Sequence, residues 1–96
     1  MACTAMVSIR RNANDNFNNP REATVEVFEN TRTIKITFTP GTRFDRLVIE
    51  FHEIQNTATL SAVQFMLQMD SQEEIQFTFG SPGGMSSFVE AITLAR

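Results

Sequence analysis

The sequence predicts a mainly β (α+β) fold: six or seven antiparallel strands forming a small barrel or sandwich, capped by one C-terminal helix. Three observations carry this. Thr33-Ile34-Lys35-Ile36-Thr37-Phe38-Thr39 alternates polar and apolar residues without a break, and β-branched side chains fill most of its positions. In the segment from Glu74 to Phe79, Ile75, Phe77 and Phe79 alternate with Gln76 and Thr78. Past Ser81-Pro82-Gly83-Gly84 the apolar period changes from two to about 3.6. Met85, Phe88, Val89, Ile92 and Ala95 then share one helical stripe.

Taken in order, Val7-Ser8-Ile9 predicts a short first strand. Residues 12–20 hold five asparagines and end on Pro20, which marks a loop. Thr24 to Glu29 predicts a strand, and Asn30-Thr31-Arg32 a turn leading into the Thr33–Thr39 strand. The two strands are close in sequence, so an antiparallel hairpin is the economical pairing. Pro40-Gly41 ends it. Arg46 to Ile54 predicts the next strand, with Leu47, Ile49 and Phe51 inward and Gln55-Asn56-Thr57 as the turn after it. Leu60 to Met69 puts Val63, Phe65, Leu67 and Met69 on one face, and Asp70-Ser71-Gln72 turns the chain into the last strand. Ser81 is a good helix N-cap and Pro82 suits the first helical position. The paired glycines weaken that turn, so a start at Ser86 or Ser87 is the alternative. Ser87 and Glu90 have capping-box spacing. A strongly bent sheet leaves an open end, and an amphipathic helix can plug it.

At 96 residues with 42% hydrophobic content, the chain supports one core and is globular. Nine phenylalanines with no tryptophan or tyrosine suggest that aromatic bulk serves the interior. A lone Cys3 allows no internal disulfide and fits a reducing compartment. No apolar run approaches the ~20 residues of a membrane span. Arg10-Arg11-Asn12 follows too soon for a secretory signal. The expected setting is therefore intracellular, cytoplasmic or nuclear. Charge is uneven. Residues 1–46 carry seven basic groups against five acids, whereas residues 47–96 carry Arg96 alone against Glu50, Glu53, Asp70, Glu73, Glu74 and Glu90. One end of such a chain attracts anions and the other cations, unless both sets are solvated strand faces and loops.

The strand Ile75-Gln76-Phe77-Thr78-Phe79, the Ser81-Pro82 helix start, Phe88 seven residues on and the Ala91-Ile92 pair beyond it resemble the C-terminal half of a pleckstrin-homology-like (PH-like) domain. Phe88 stands where many members carry tryptophan. The resemblance covers roughly residues 24–96. It divides the chain into an N-terminal segment, 1–23, with a short strand and the asparagine-rich loop, and a PH-like domain, 24–96, within one domain overall. It implies a binding module. The lipid-binding signature of the family places a lysine on one strand and closely spaced basic residues on the next. Here Lys35 is the only lysine, and Arg43 and Arg46 lie three apart. The wider superfold includes many members that bind proteins or peptides and no lipid.

Catalytic and metal chemistry find little support in the residue types. His52 is the only histidine and alternates with inward Phe51, which places it on an outer face beside Glu50. No serine stands in a nucleophile-elbow context. The carboxylate pairs Glu73-Glu74 and Glu50/Glu53 lack neighbouring histidine or cysteine, so no metal or cofactor is expected. Gly80-Ser81-Pro82-Gly83-Gly84 lacks the lysine and spacing of a phosphate loop and reads as a helix-start turn. A pI near 5.0 argues against nucleic acid. The better signal is apolar residues facing outward: Phe28, Val48 and Met66 would form a patch if their strands were adjacent. The expectation is a non-enzymatic protein–protein interaction or scaffold module of a larger complex. It would bind a protein or peptide, or self-associate, through an outer sheet face or edge, with contacts at Phe28, Val48 and Met66. The alternative is anionic-lipid (phosphoinositide) binding through Arg32, Lys35, Arg43 and Arg46.

Overall fold

The computed structural model describes residues 1–39 and 46–95, with Ala95 described by its backbone alone. Pro40, Gly41 and Arg43 lie outside the described residues. Seven strands run in the order β1 (Ala2–Arg10), β2 (Arg21–Phe28), β3 (Thr33–Phe38), β4 (Arg46–Glu50), β5 (Ile54–Thr59), β6 (Gln64–Met69) and β7 (Glu74–Phe79). A 3₁₀ turn, Phe51–Glu53, lies between β4 and β5, and α1 (Pro82–Ala95) follows β7. All seven strands join one antiparallel sheet in the order β4-β3-β2-β1-β7-β6-β5, curled into a half-barrel. The fold is PH-like, as the chain's ending implies.

Alternation decides which side chains enter the half-barrel. Ala5 and Val7 on β1, Val25 and Val27 on β2, and Ile34 and Ile36 on β3 are buried. So are Ile49 on β4, Phe65 and Leu67 on β6, and Ile75, Phe77 and Phe79 on β7. Helix α1 fills the open end. The Ser81 hydroxyl accepts a 3.1 Å hydrogen bond from the Gly84 N–H, so the helix starts at Pro82 despite its two glycines. Phe88 has no solvent exposure. Its ring centroid lies 5.0 Å from Phe77, 5.2 Å from Phe79 and 6.0 Å from Phe65, the last pair edge-to-face. Met85, Ala91 and Ile92 are buried beside it.

The structure corrects several sequence expectations. β1 is nine residues long rather than the three of Val7-Ser8-Ile9, and it is the middle strand of the sheet. It pairs with β2 from Ala2↔Glu26 to Val7↔Arg21, and with β7 from Ala5↔Phe79 to Arg10↔Glu74. β2 starts at Arg21, ahead of Thr24. The strand expected from Arg46 to Ile54 is broken at Phe51. There the Glu50 N–H donates to the Glu53 carboxylate (3.0 Å) and the Phe51 N–H to the Arg32 carbonyl (2.9 Å). The second of these bonds is the last rung of the β3–β4 ladder, and the first, a local side-chain bond on the outward side, turns the chain a corner beyond it. Gln55-Asn56-Thr57 belongs to β5 rather than to a turn. Leu60 and Val63 belong to a turn rather than to β6. The Ser61 hydroxyl organises that turn by accepting from the N–H groups of Val63 and Gln64.

Candidate binding groove and sheet edges

The sheet has two ends, β4 and β5, and the ladder fixes which backbone groups each end presents. Antiparallel pairs alternate between those that exchange hydrogen bonds and those that do not. The Leu60 N–H donates to the Gln64 carbonyl (2.9 Å), in register with Ala58↔Met66 and Asn56↔Gln68. Alternation then directs the N–H and C=O of Thr57 and Thr59 away from β6, toward the open edge. Their side chains share the concave face with Leu67 and Phe65, opposite which they sit, yet both threonines are exposed. They are exposed because α1 leaves a gap there. A groove of about 590 Å³ lies between the β5–β6 corner and the helix. Thr59 and Ala62 form one wall, and Met85, Val89, Glu90 and Leu94 of α1 the other. Leu94 is 73% exposed, the most exposed large apolar residue among those described. From Gln55 to Ala62 the chain carries no charge.

At the other end, the Phe51-to-Arg32 bond sets the parity of the β3–β4 ladder, so Val48 and Glu50 direct their N–H groups outward. Glu53 already accepts from the Glu50 N–H. Arg46, Val48 and Glu50 place their side chains on the convex face, where His52 Nε2 lies 2.8 Å from a Glu50 carboxylate oxygen.

Sequence reasoning named Phe28, Val48 and Met66 as contacts, but the three strands are not adjacent. β2 and β4 are separated by β3, and β6 lies across β1 and β7 from β2. Phe28 (42% exposed) and Val48 (57% exposed) share the convex face at one end of the sheet. Val48 is opposite Lys35, which is opposite Glu26, which is opposite Ala2. Met66 is half-buried and sits opposite Gln76, itself opposite Ser8. Ala2 and Ser8 stand about 20 Å apart along β1, so Met66 does not join the other two. The basic candidates are spread as well. Arg32, in the β2–β3 turn, and Arg46, opposite Thr37, mark the two ends of the β3–β4 ladder. Lys35 lies between them, in the same face as Glu26 and Glu50. Arg43 lies outside the described residues.

The asparagine-rich loop is held against the end of β1. Asn18 continues the β1 ladder where β2 has ended: the Ile9 N–H donates to its side-chain oxygen (2.9 Å), and its own N–H donates to the Ile9 carbonyl (3.0 Å). The Arg10 guanidinium lies 4.3 Å from the centre of the Phe17 ring and forms an ion pair with the buried Glu74 on β7. Arg11 donates a hydrogen bond to Asp15 (2.9 Å), which with the Asn16 N–H holds that carboxyl below its ordinary range. Burial pushes the half-buried Cys3 thiol up, against a smaller downward pull from the N-terminal ammonium. Among the described residues no group of three or more His, Cys, Asp or Glu side chains could hold a metal ion. No described helix is long and apolar enough to cross a membrane.

Thr57, Thr59 and Leu94 were not singled out by sequence reasoning, and Val89 was read as part of the inward stripe, whereas it is partly buried and lines the groove. Leu94 left a signal, since it is a large apolar residue off the Met85–Phe88–Ile92 stripe. So did the uncharged run 55–62, read only as a turn and a strand start.

No family model matches this chain, and no curated protein matches it. Among solved structures it is similar to "The pleckstrin homology (PH) domain of USP37", with a TM-score of 0.64. The likeness covers 99% of this chain and 98% of that one at 14% sequence identity, and at that identity it speaks to the fold.

Proposed function

We propose that this PH-like chain is a non-catalytic binding module that accepts an extended segment of a protein partner by strand addition at β5, in the groove beside α1. One observation carries the reading: at β5 an uncharged edge, with its N–H and C=O groups directed outward, borders an apolar groove. A peptide laid there would gain main-chain hydrogen bonds from Thr57 and Thr59 and would place alternate side chains against Val89 and Leu94. The lone Cys3 suits a reducing, intracellular setting. As a subunit of a larger complex, the chain would serve as a scaffold for that segment.

The test is a substitution that removes one donor without disturbing the sheet. Proline is tolerated on an edge strand where the N–H faces outward. Thr57→Pro is therefore expected to keep the circular dichroism spectrum and lose a partner captured by affinity purification of the tagged chain. Retention of that partner by folded Thr57→Pro, with loss in Phe28→Asp or Val48→Asp, would move the contact to the convex face. Met66→Asp is expected to retain it.

Anionic-lipid binding through Arg32, Lys35, Arg43 and Arg46 is the second reading. It draws on the basic balance of residues 1–46. The wide spacing of Arg32 and Arg46, with Glu26 and Glu50 between them, gives it less support. Sedimentation with phosphoinositide-containing liposomes at low salt separates the two readings, and pelleting that depends on Lys35 would favour lipid.

A further inference from the structure

We infer that the segment taken up at β5 is cationic, carrying lysine or arginine toward the ends of a short apolar stretch; this rests on the strand-addition reading above. The inference comes from charges around the groove. Between Arg46 and Arg96 the chain has no lysine or arginine. Two of the six acids in that span are engaged elsewhere: Glu74 is paired with Arg10 and Glu50 with His52. The remaining acids flank the β5 edge. Glu53 immediately precedes β5, and its carbonyl accepts from the Asp70 N–H (2.8 Å), which brings Asp70 to the same end. Glu73 follows in the β6–β7 turn. At the other end of the edge, Glu90 lines the groove together with Thr59.

The edge itself is uncharged from Gln55 to Thr59, so the negative potential brackets it at both ends. A strand of about six residues matches the length of β5. Its central side chains would be small or apolar, to lie along Val89, Met85 and Leu94. An acidic segment would meet like charge at each end, and repulsion of that kind discriminates between partners as strongly as attraction does.

The experiment is selection of a displayed library of random twelve-residue peptides on the wild-type chain, followed by titration of the best peptide against Glu90→Lys, Glu90→Gln and Thr57→Pro. Glu90 is exposed, so its substitution leaves the melting temperature in place. Enriched peptides are expected to carry lysine or arginine beside an apolar stretch. Affinity should fall about tenfold in Glu90→Lys, less in Glu90→Gln, with a steeper salt dependence in the wild type than in either. Neutral or acidic peptides that still require an intact Thr57 N–H would overturn the cationic assignment and leave strand addition standing. Peptides bound equally well by folded Thr57→Pro, or no enrichment at all, would overturn both.

Discussion

The two ends of the sheet are built from the same kind of backbone and present it in opposite ways. β4 turns Arg46, Val48 and Glu50 to the convex face, puts a charge at each end of a five-residue strand, and has one outward N–H taken by the Glu53 carboxylate. Those are the devices that discourage further pairing at an edge. β5 turns uncharged threonines toward the concave face, beside a helix that stands off from it and leaves an apolar groove. An unprotected edge is a liability unless it is used, and this difference is what the proposed strand addition at β5 rests on.

The largest expected effect tests what both ends share. Phe88 supports the helix wall of the groove and also closes the barrel, so Phe88→Ala should cost about 3–5 kcal/mol in chemical denaturation. That is comparable to the whole stability of a small domain. A loss below about 1 kcal/mol would mean that α1 is dispensable to the core. The contrast itself is tested next by a matched pair, Thr57→Pro and Val48→Pro. Each removes an outward N–H, one from each edge. Titration with a groove-binding peptide should weaken at least about tenfold in the first and stay unchanged in the second.

A third experiment asks whether the two halves store similar backbone strain. Arg32 (φ 53°), in the β2–β3 turn, and Gln72 (φ 79°), in the β6–β7 turn, both occupy the left-handed region. Arg32→Gly and Gln72→Gly should each raise the thermal midpoint, by roughly 1 kcal/mol of stability. A clear gain in only one would show that side-chain contacts compensate the strain in the other. The smallest effect concerns Cys3, on the strand between the halves. Its raised pKa lowers the thiolate fraction at pH 8, so iodoacetamide should modify it more slowly than a free cysteine peptide, and unfolding should restore the ordinary rate.

How much of this was legible in the sequence differs by element. β3, β7 and α1 could be read because each buries one face completely, and burial imposes a period that the residues must keep. Phe88 was identified as the plug for the same reason. β1 was cut to Val7-Ser8-Ile9 because its inward positions begin with Cys3 and Ala5, small residues that carry little strand signal, although Ala5 is buried to 3% exposure at the centre of the sheet. β5 was lost to a turn assignment. It is an edge whose concave-facing residues are threonines left uncovered by the helix, so no apolar alternation marks it. The groove went unseen for that reason: it exists where the burial pattern fails. Sequence reasoning looked for function in outward apolar residues; the structure places Phe28 and Val48 at one end of the sheet, while β1 and β7 separate the strand of Phe28 from that of Met66.

The placement of β1 also orders the making of the molecule. Arg10 and Glu74, joined across the β1–β7 seam, are 64 residues apart along the chain. β2 to β4 and β5 to β7 are each built from neighbouring hairpins, which close cheaply, whereas the seam must close the longest loop in the sheet. During synthesis the partner on one side of β1, β2, is made next, whereas the partner on its other side, β7, is the last strand to be made. Completion of the fold is thus gated by one late strand, and α1 can seat Phe88 only after β7 has supplied Phe77 and Phe79 to receive it.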